Sequence, residues 1–353
     1  MNILVVTPFD SSNYGAFLQA YCLKKKLESM GHTVAHRLTR DADYVRHLYY
    51  HETPETDAER EDPLFAEKAE FGKATYRLFL EDQKAFSVVD PAAWPADLYL
   101  LGSDEIWNFK QKAFRQPLFW GEGMEPVISY AVSMGSADPA LFGEYPELKN
   151  AMQSVKTLLV RDGRTKEFAE AQTGRHAQIV CDPTLLVPVE SYGREYHDPF
   201  VERNDCLLIY SYKIAPELQR SIREYAHAKG LKTVGCCFVN DWCDHTCVCS
   251  PLEFSSLIRQ SREVFTTTFH GSIFCILNHA KFVSVPVSPK TSQLLEQLSM
   301  TDRLLPKAPP ATAEQIAEVM ARPTPYDEVE LRVAELRASS EKLLQEAIAS
   351  CTK

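Results

Sequence analysis

Short apolar runs alternate with amphipathic segments along the first half of the chain. The run NILVV at 2–6 is soon followed by Pro8 and is typical of a parallel strand that is buried on both faces. Over residues 16–30 the apolar positions recur at spacings of three and four, which predicts one face of a helix, and Gly31 stands where such a helix ends. The segment HTVAHRL at 32–38 predicts the next strand. This order is typical of a layered α/β domain.

The same alternation resumes at residue 206, after an irregular stretch at 184–205. Residues 41–90 are rich in charged and aromatic side chains and predict a helical insertion with a loop near 51–63. Alternation of strands and helices in both halves predicts two Rossmann-like, doubly wound α/β domains that face each other across a cleft. We assign residues 1–190 to an N-terminal domain, 200–310 to a C-terminal domain and 311–353 to a C-terminal helical tail.

Charge and composition exclude several classes of protein. The 353 residues are 45% hydrophobic and carry a formal net charge of -10, so we do not expect a nucleic-acid-binding face. The basic run LKKKL at 23–27 lies on the first predicted helix, and we assign it to the solvated face. No apolar run reaches the roughly 18 residues of a transmembrane segment, and the N-terminus lacks the basic region of a signal peptide. We therefore expect a cytoplasmic protein with reduced thiols.

Six potential metal ligands fall within 14 residues of one another, namely Cys236, Cys237, Cys243, His245, Cys247 and Cys249. Thiolate and imidazole groups suit zinc. The spacing, however, lacks the paired C-x-x-C knuckles of structural zinc sites. Ordinary cysteines without a metal are the expectation, and metal binding by this cluster is the alternative.

Polar turns follow five of the predicted strands, and ligands of open α/β sheets bind beyond the carboxyl ends of the strands. The turns are Asn13-Tyr14-Gly15, Gly102-Ser103-Asp104, Gly135-Ser136, Arg161-Asp162 and His270-Gly271-Ser272. Each turn alone is a weak signal, because polar turns of this kind occur throughout such folds.

His270 is the strongest candidate among these residues. It stands where a strand passes into a helix, so the amides of Gly271, Ser272 and Ile273 are expected to face an anion. An imidazole at that place can exchange protons near neutral pH. The structural alternative is a packed or capping histidine.

Arg161 leaves a predicted buried strand and would enter the same cleft. A guanidinium suits paired hydrogen bonds to a phosphate or a carboxylate. The alternative is an ordinary ion pair with Asp162 or another carboxylate. Asp104 is either a turn cap or a group that orients a sugar hydroxyl.

Seven motifs occur together in a fixed order, and the set resembles the polysaccharide pyruvyl transferase family from residue 1 to about residue 305. The motifs are NYGAFLQAYCLKKKLESMGHTV, DLYLLGSDEIWN, ISYAVSMGS, LLVRDGRTKEF, VCDPTLLV, PLEFSSLIRQSREVFTTTFHGSIFCILNHAKFVSV and KTSQLLEQLSMTDRLL. Each motif is weak alone, whereas their ordered co-occurrence is specific for the family. The resemblance implies a GT-B-like fold with the active site between the two domains.

The resemblance also implies a reaction and its substrates. A bacterial enzyme of this kind moves the enolpyruvyl group of phosphoenolpyruvate onto hydroxyls of a saccharide or a lipid-linked oligosaccharide, which forms a pyruvate ketal in surface polysaccharide biosynthesis. No cofactor is implied, and a lipid-linked acceptor would bring transient contact with the inner membrane face. By the family's pattern the donor contacts are His270 and Arg161, which we assign as catalytic. Substrate-binding residues are expected at Asn13, Tyr14, Gly15, Ser103, Asp104, Gly135, Ser136, Thr268, Gly271, Ser272 and Lys290.

Two positions depart from the common family pattern. Thr268 stands where many members have an arginine before Phe-His-Gly, and Gln293 stands where members often have a second arginine. Lys290 and Arg303 are the candidates to supply the missing positive charge. Two other functions stay open: a GT-B-type glycosyltransferase that uses a nucleotide sugar, and a non-catalytic glycan-binding protein. The missing arginine favours the binding protein, whereas the retained histidine and arginine of the two donor motifs favour an enzyme.

Overall fold

The computed structural model describes residues 1–351, and its core is formed by two parallel sheets that are covered by helices. The first sheet has six strands in the order β2-β1-β3-β4-β5-β6. All residues of the fourth strand are buried, because helices cover both faces of the sheet and no polar alternation is needed. The strands are β1 (Asn2–Val6), β2 (Thr33–His36), β3 (Leu98–Leu101), β4 (Val127–Val132), β5 (Val155–Val160) and β6 (Ala177–Ile179).

Helices follow most strands of this domain, and three of them form the predicted insertion. Gly31 (φ +85°) follows the first helix and Gly174 (φ +69°) caps the sixth, both in the left-handed conformation that ends many helices. One short helix lies inside the stretch predicted as a loop. The helices are α1 (Tyr14–Ser29), α2 (Ala42–Tyr49), α3 (Asp57–Arg60), α4 (Phe65–Gln83), α5 (Pro146–Met152) and α6 (Gly163–Thr173).

The second sheet has five parallel strands in the order β11-β10-β7-β8-β9. Its strands are β7 (Cys206–Tyr210), β8 (Lys232–Cys236), β9 (His245–Cys247), β10 (Glu263–Thr266) and β11 (Phe282–Ser284). The helices from here to the C-terminus are α7 (Pro199–Arg203), α8 (Pro216–Lys229), α9 (Phe254–Gln260), α10 (Phe269–Leu277), α11 (Pro289–Gln297), α12 (Ala313–Ala321) and α13 (Tyr326–Ser350).

Each sheet has a point at which the strand order reverses, between β1 and β3 in the first sheet and between β7 and β10 in the second. The prediction of two doubly wound Rossmann-like domains is therefore confirmed. Ligands of such sheets bind at the carboxyl ends of the strands beside the reversal. The turns after β1, β3 and β10 are the ones that carry Gly15, Asp104 and His270.

The C-terminal helices pack on different domains. Helix α12 lies on α8, whereas α13 returns to the N-terminal domain and contacts β4 and β5. Ser340 of α13 accepts a hydrogen bond from the backbone N–H of Cys181 at 2.9 Å, and Glu341 pairs with Lys26 at 2.8 Å. Within residues 1–351, none of the helices combines the length and the apolar character that a bilayer span requires.

Two local predictions are wrong. The LKKKL run is not simply a solvated face, because Lys24 is 8% exposed and pairs with Glu28, and Lys26 pairs with Glu341 of α13. The segment SPLEF at 250–254 has the sequence of a helix N-terminus and predicts a helix that is capped by Ser250 and begins at Pro251. The helix α9 begins only at Phe254, although Ser250 and Glu253 exchange the expected hydrogen bonds. Both differences arise because packing against another element decides what a local pattern leaves open.

Candidate active site

Two helix N-termini meet at the boundary between the domains. Asn13 caps α1 by accepting hydrogen bonds from the amides of Gly15 and Ala16, and Thr268 caps α10 by accepting one from Gly271. A β-carbon built on Gly15 would lie 2.1 Å from Nδ1 of His270, far inside contact distance. Only glycine therefore allows the first turn of α1 to lie directly against the imidazole.

Asp182 joins the two residues on which the sequence argument depends. Its Oδ2 accepts a hydrogen bond from Nη1 of Arg161 at 2.9 Å and lies 3.5 Å from Nε2 of His270. The exposed fractions of the three side chains are 1% for Asp182, 4% for Arg161 and 7% for His270. Arg161 thus pairs with Asp182 and not with the adjacent Asp162, which caps α6 through the amide of Thr165.

Several nitrogens in this group have no hydrogen-bond partner among the described residues. They are Nε and Nη2 of Arg161 and Nε2 of His270, and all three are buried. The nearest acid to Nη2 other than Asp182 is Asp104, whose Oδ1 lies 3.7 Å away. Buried polar groups in proteins are nearly always paired, so an unpaired cluster of this kind points to a ligand.

Charge keeps the central carboxyl ionised in spite of its burial. Burial alone would raise the pKa of Asp182, but the neighbouring His270 and Arg161 side chains outweigh it and hold that pKa below its ordinary value. Burial likewise opposes the charge on Arg161, whereas Asp182 and Asp104 raise its pKa. The group therefore contains a permanent buried cation beside a permanent buried anion.

A pocket of about 280 Å³ opens beside Arg161 and Asp182, and Phe269, Lys290 and Gln293 line it as well. Both cations lie near the Phe269 ring, with the Arg161 guanidinium carbon 5.0 Å and the Lys290 Nζ 5.2 Å from its centre. His270 does not line this pocket but lies directly behind Asp182. The pocket thus has two positively charged side chains beside one aromatic ring.

A second pocket of about 210 Å³ shares the Lys290 and Gln293 walls with the first, so the two form one cleft. Gly135 and Ser136 line it together with Glu105, which pairs with Lys290 at 2.7 Å. Burial alone would raise the pKa of Glu105, but Lys290 and Arg161 outweigh it and lower that pKa to about 2. Lys290 is thus held by a carboxylate that stays ionised.

The sequence model of the family described as "Polysaccharide pyruvyl transferase" matches residues 13–289. This chain belongs to the polysaccharide pyruvyl transferase family. The match covers both domains and includes the turns that carry Asn13, Arg161 and His270. It ends at residue 289, the first residue of α11, which is the helix that carries Lys290. No curated protein matches the chain.

Solved structures show the fold of this pyruvyl transferase family member. A putative UDP-N-acetylglucosamine 2-epimerase from Listeria monocytogenes is 12% identical, with a TM-score of 0.55 over 100% of this chain and 96% of that one. The spinosyn forosaminyltransferase SpnP is 10% identical, with a TM-score of 0.53 over 100% of both chains. A UDP-GlcNAc 2-epimerase from Neisseria meningitidis is 14% identical, with a TM-score of 0.51 over 99% and 100%. The GT-B-like fold is therefore confirmed.

The structure does not bring every predicted substrate-binding residue of this family member to the cleft. Ser103 is fully buried and bonds to Gln19, and Tyr14 is buried with its hydroxyl donating to the carbonyl of Cys249. Ser272 is fully buried and bonds to the hydroxyl of Ser284. These side chains face the core because each turn passes between a sheet and a covering helix.

The prediction that the backbone amides after His270 face an anion is also wrong. The Gly271 amide donates to the side chain of Thr268, and the Ser272 amide donates to the carbonyl of Thr268. Thr268 is a helix cap and does not reach the pocket, and Asn13 both caps α1 and donates to the hydroxyl of Tyr212. Helix-capping bonds therefore use the groups that the motif suggested for a ligand.

Of the two cations proposed to replace the missing arginine, only Lys290 lines the cleft. Arg303 is fully buried elsewhere, where its Nη2 contacts Asp302 and the carbonyl of Arg322.

The sequence did not predict Asp182 and Glu105 as site residues, although both follow predicted strands within the family's motifs. The strand-end rule that selected Arg161 could have found Asp182, which stands after β6 in VCDPTLLV.

All ten cysteines lie in the described part of the chain and are free thiols. Cys236, Cys237, Cys247 and Cys249 are buried. Within residues 1–351, the one group of three or more potential metal ligands that lie within 4.8 Å of one another is Asp198, His245 and Cys247, so the six-residue cluster does not form a single metal site.

Proposed function

We propose that the protein transfers the enolpyruvyl group of phosphoenolpyruvate to two hydroxyls of a saccharide and so forms a pyruvate ketal. One observation carries the proposal: Arg161 and His270 both contact buried Asp182, and both retain buried nitrogens without hydrogen-bond partners among residues 1–351. Leaving such groups unpaired is costly, and an anionic ligand in the adjoining pocket satisfies the guanidinium. Membership of the family supports this donor and this reaction.

Phosphoenolpyruvate carries a carboxylate and a phosphate, and the pocket offers one cation to each. The free Nε and Nη2 edge of Arg161 suits a carboxylate, because a guanidinium presents two parallel donors. Lys290, which also lies beside the Phe269 ring, suits the phosphate as a point charge. In this assignment Lys290 supplies the charge that Thr268 does not.

The proposed chemistry has two additions at the same carbon. A saccharide hydroxyl oxygen bonds to C2 of the donor and loses its proton, while C3 takes up a proton and becomes a methyl group. The C2–O bond to phosphate then breaks, phosphate leaves with the electron pair, and the second hydroxyl bonds to C2 and passes its proton to the phosphate. His270 lies behind Asp182, so it moves the first pair of protons through this carboxylate, which lines the pocket. Arg161 stabilises the developing charge.

The N-terminal domain offers an open groove of about 740 Å³ for the acceptor. Arg37, Arg40 and Lys112 line it, and none of them forms an ion pair within residues 1–351. Asp10 accepts hydrogen bonds from the amides of Thr39 and Arg40 and so ties this groove to the loop that leads into α1. Three unpaired cations on a chain of net charge -10 support an acceptor that carries negative charge, such as a lipid-linked oligosaccharide.

Donor binding can be tested by thermal unfolding of the full chain with phosphoenolpyruvate, a nucleotide sugar or a neutral saccharide. A ligand that binds only the native state raises the Tm. We expect phosphoenolpyruvate to raise it, and Arg161→Lys to need at least 10-fold more ligand for the same shift, because the paired donors are lost. Arg262→Lys, in an exposed ion pair with Asp205, is the control. A shift with a nucleotide sugar but none with phosphoenolpyruvate would contradict the proposal.

Turnover is tested by phosphate release in the presence of saccharide acceptors. His270→Gln should lower kcat by about 10²- to 10⁴-fold, as the loss of a general acid–base group does. His279→Gln is a matched control, since His279 follows the same helix but is half exposed and pairs with Glu330. Wild-type turnover in His270→Gln would show that His270 does not transfer protons.

A further inference from the structure

A histidine, a cysteine and a carboxylate converge at the outer edge of the C-terminal sheet. One ligand atom from each of Asp198, His245 and Cys247 lies within 4.8 Å of the other two. His245 and Cys247 are two residues apart on β9, so both side chains emerge on the same face of the strand. Asp198 comes from the segment that links the two domains and stands before α7.

The carboxylate of Asp198 and the imidazole of His245 are held in place by neighbouring groups. Oδ1 of Asp198 accepts hydrogen bonds from the amides of Phe200 and Val201, which leaves Oδ2 directed at Nε2 of His245 at 2.9 Å. The ring of His245 stacks on Phe200 with 4.6 Å between the ring centres and 21° between the planes. The carboxylate and the imidazole therefore have fixed directions that do not depend on a ligand.

We propose that Asp198, His245 and Cys247 form a zinc-binding site. One oxygen, one nitrogen and one sulfur ligand match the borderline-soft preference of Zn²⁺, whereas magnesium and calcium take oxygen ligands. The ligand atoms of a tetrahedral zinc ion, bound at about 2.0–2.3 Å, lie about 3.3–3.8 Å apart. Oδ2 of Asp198 and Nε2 of His245 are 2.9 Å apart, so they must separate by about 0.4 Å to bind the ion. The fourth position is open to water or to the hydroxyl of Tyr196, which lies 3.1 Å from the Asp198 carboxylate.

The site is separate from the proposed catalytic cleft. Strand β9 is the edge strand of its sheet and lies three positions from β10, which leads into His270. At about 4.8 Å per strand this is roughly 14 Å. A metal ion here would clip the interdomain segment at Asp198 to the edge strand, so we assign it a structural role.

The test uses the full chain without a polyhistidine tag, freed of metal with a chelator and then titrated with zinc against a chromogenic competitor. We expect one equivalent to bind to the wild type, and His245→Ala and Cys247→Ser to weaken binding by about 100-fold or more, because even groups that only support a ligand cost 10–100-fold. Cys243→Ser is the matched control, since Cys243 belongs to the same cysteine-rich segment but not to the triad. Zinc binding that is absent, or that is equal in all four proteins, would overturn the proposal.

Cobalt provides a second readout that does not depend on the stability of the variants. Bound to the wild type and to Cys243→Ser, Co²⁺ should give a thiolate-to-cobalt charge-transfer band in the near ultraviolet. His245→Ala keeps the thiol and weakens the band through lost affinity, whereas Cys247→Ser abolishes it. If the wild type binds cobalt without this band, Cys247 is not a ligand and the proposed triad is wrong.

Discussion

The close contact between Gly15 and His270 offers the sharpest test of how the domains build the active site. In Gly15→Ala, the new methyl carbon would lie 2.1 Å from Nδ1 and 2.3 Å from Cγ of the imidazole. Real contacts of this kind require more than 3 Å, so the ring must move by about 1 Å or the helices must separate. Either movement changes the position of Nε2 relative to Asp182, from which it is now 3.5 Å distant.

Two opposing terms determine the stability of Gly15→Ala. Alanine is favoured over glycine within a helix by about 0.8–1.0 kcal/mol. Overpacking of a buried contact costs about 1–3 kcal/mol. The free energy of unfolding should therefore fall by no more than about 2 kcal/mol, and the protein should remain folded. The displaced imidazole, in contrast, should lower kcat by about 10²-fold or more, since proton transfer requires close positioning.

The assay measures phosphate release and urea unfolding for Gly15→Ala, His270→Gln and the double variant. If Gly15 acts through His270, the double variant should be no slower than His270→Gln alone, because the two changes remove the same function. Gly143→Ala is the control, since a β-carbon there would meet no atom within 4 Å. Wild-type kcat in folded Gly15→Ala, or losses that multiply in the double variant, would refute the reasoning.

Three further predictions concern the charges and the helix that support this site. Asp182→Asn removes the closest carboxylate of buried Arg161 and leaves Asp104 at 3.7 Å, so it should lower the free energy of unfolding by about 3–5 kcal/mol in urea titrations. Asp205→Asn, in an exposed ion pair, should change this free energy little, and equal effects of the two changes would show that the buried pair is not needed. Ser340→Ala removes the acceptor of the buried Cys181 amide and should lower the free energy of unfolding by about 1–3 kcal/mol. Substitution of its exposed neighbour, Ser339→Ala, should lower this free energy much less, and equal effects would show that the hydrogen bond to α13 does not stabilise the loop. Lys290→Met removes a cation that lowers the pKa of Glu105 from its ordinary value of 4.5 to about 2. The stabilisation from the ionised carboxylate is present above pH 4.5 and is lost as the pH falls towards about 2, so the difference in unfolding free energy between wild type and variant should shrink over this range. A difference that does not shrink would contradict the pairing.

Most of the fold could be predicted from the sequence because its signals are local. A strand buried on both faces must be apolar at every position, as in VISYAV of β4, and a helix that covers a sheet must repeat its apolar residues at three and four. The same logic placed the polar turns at the carboxyl ends of the strands, and two of them do hold Arg161 and His270. These conclusions needed no knowledge of which strands are neighbours.

The direction of each turn side chain could not be predicted, because it depends on elements far away in the chain. Ser103 turns inward because Gln19 of α1 accepts its hydroxyl, and Tyr14 does so because the carbonyl of Cys249 lies opposite. Thr268 looked like a lost ligand, yet its hydroxyl caps the helix that presents His270. A pattern of residue types cannot distinguish a side chain that binds a ligand from one that satisfies its own backbone.

By itself, then, the sequence determined the strands, the helices, the family and two of the residues that form the buried group. Only the tertiary structure decided that Asp182 joins Arg161 to His270, that Lys290 and not Arg303 reaches the cleft, and that Asp198 lies beside His245 and Cys247. The physical reason is the same in each case. Burial of an ion or an imidazole must be balanced by a partner, and that partner is supplied by whatever element the fold brings within a few ångströms.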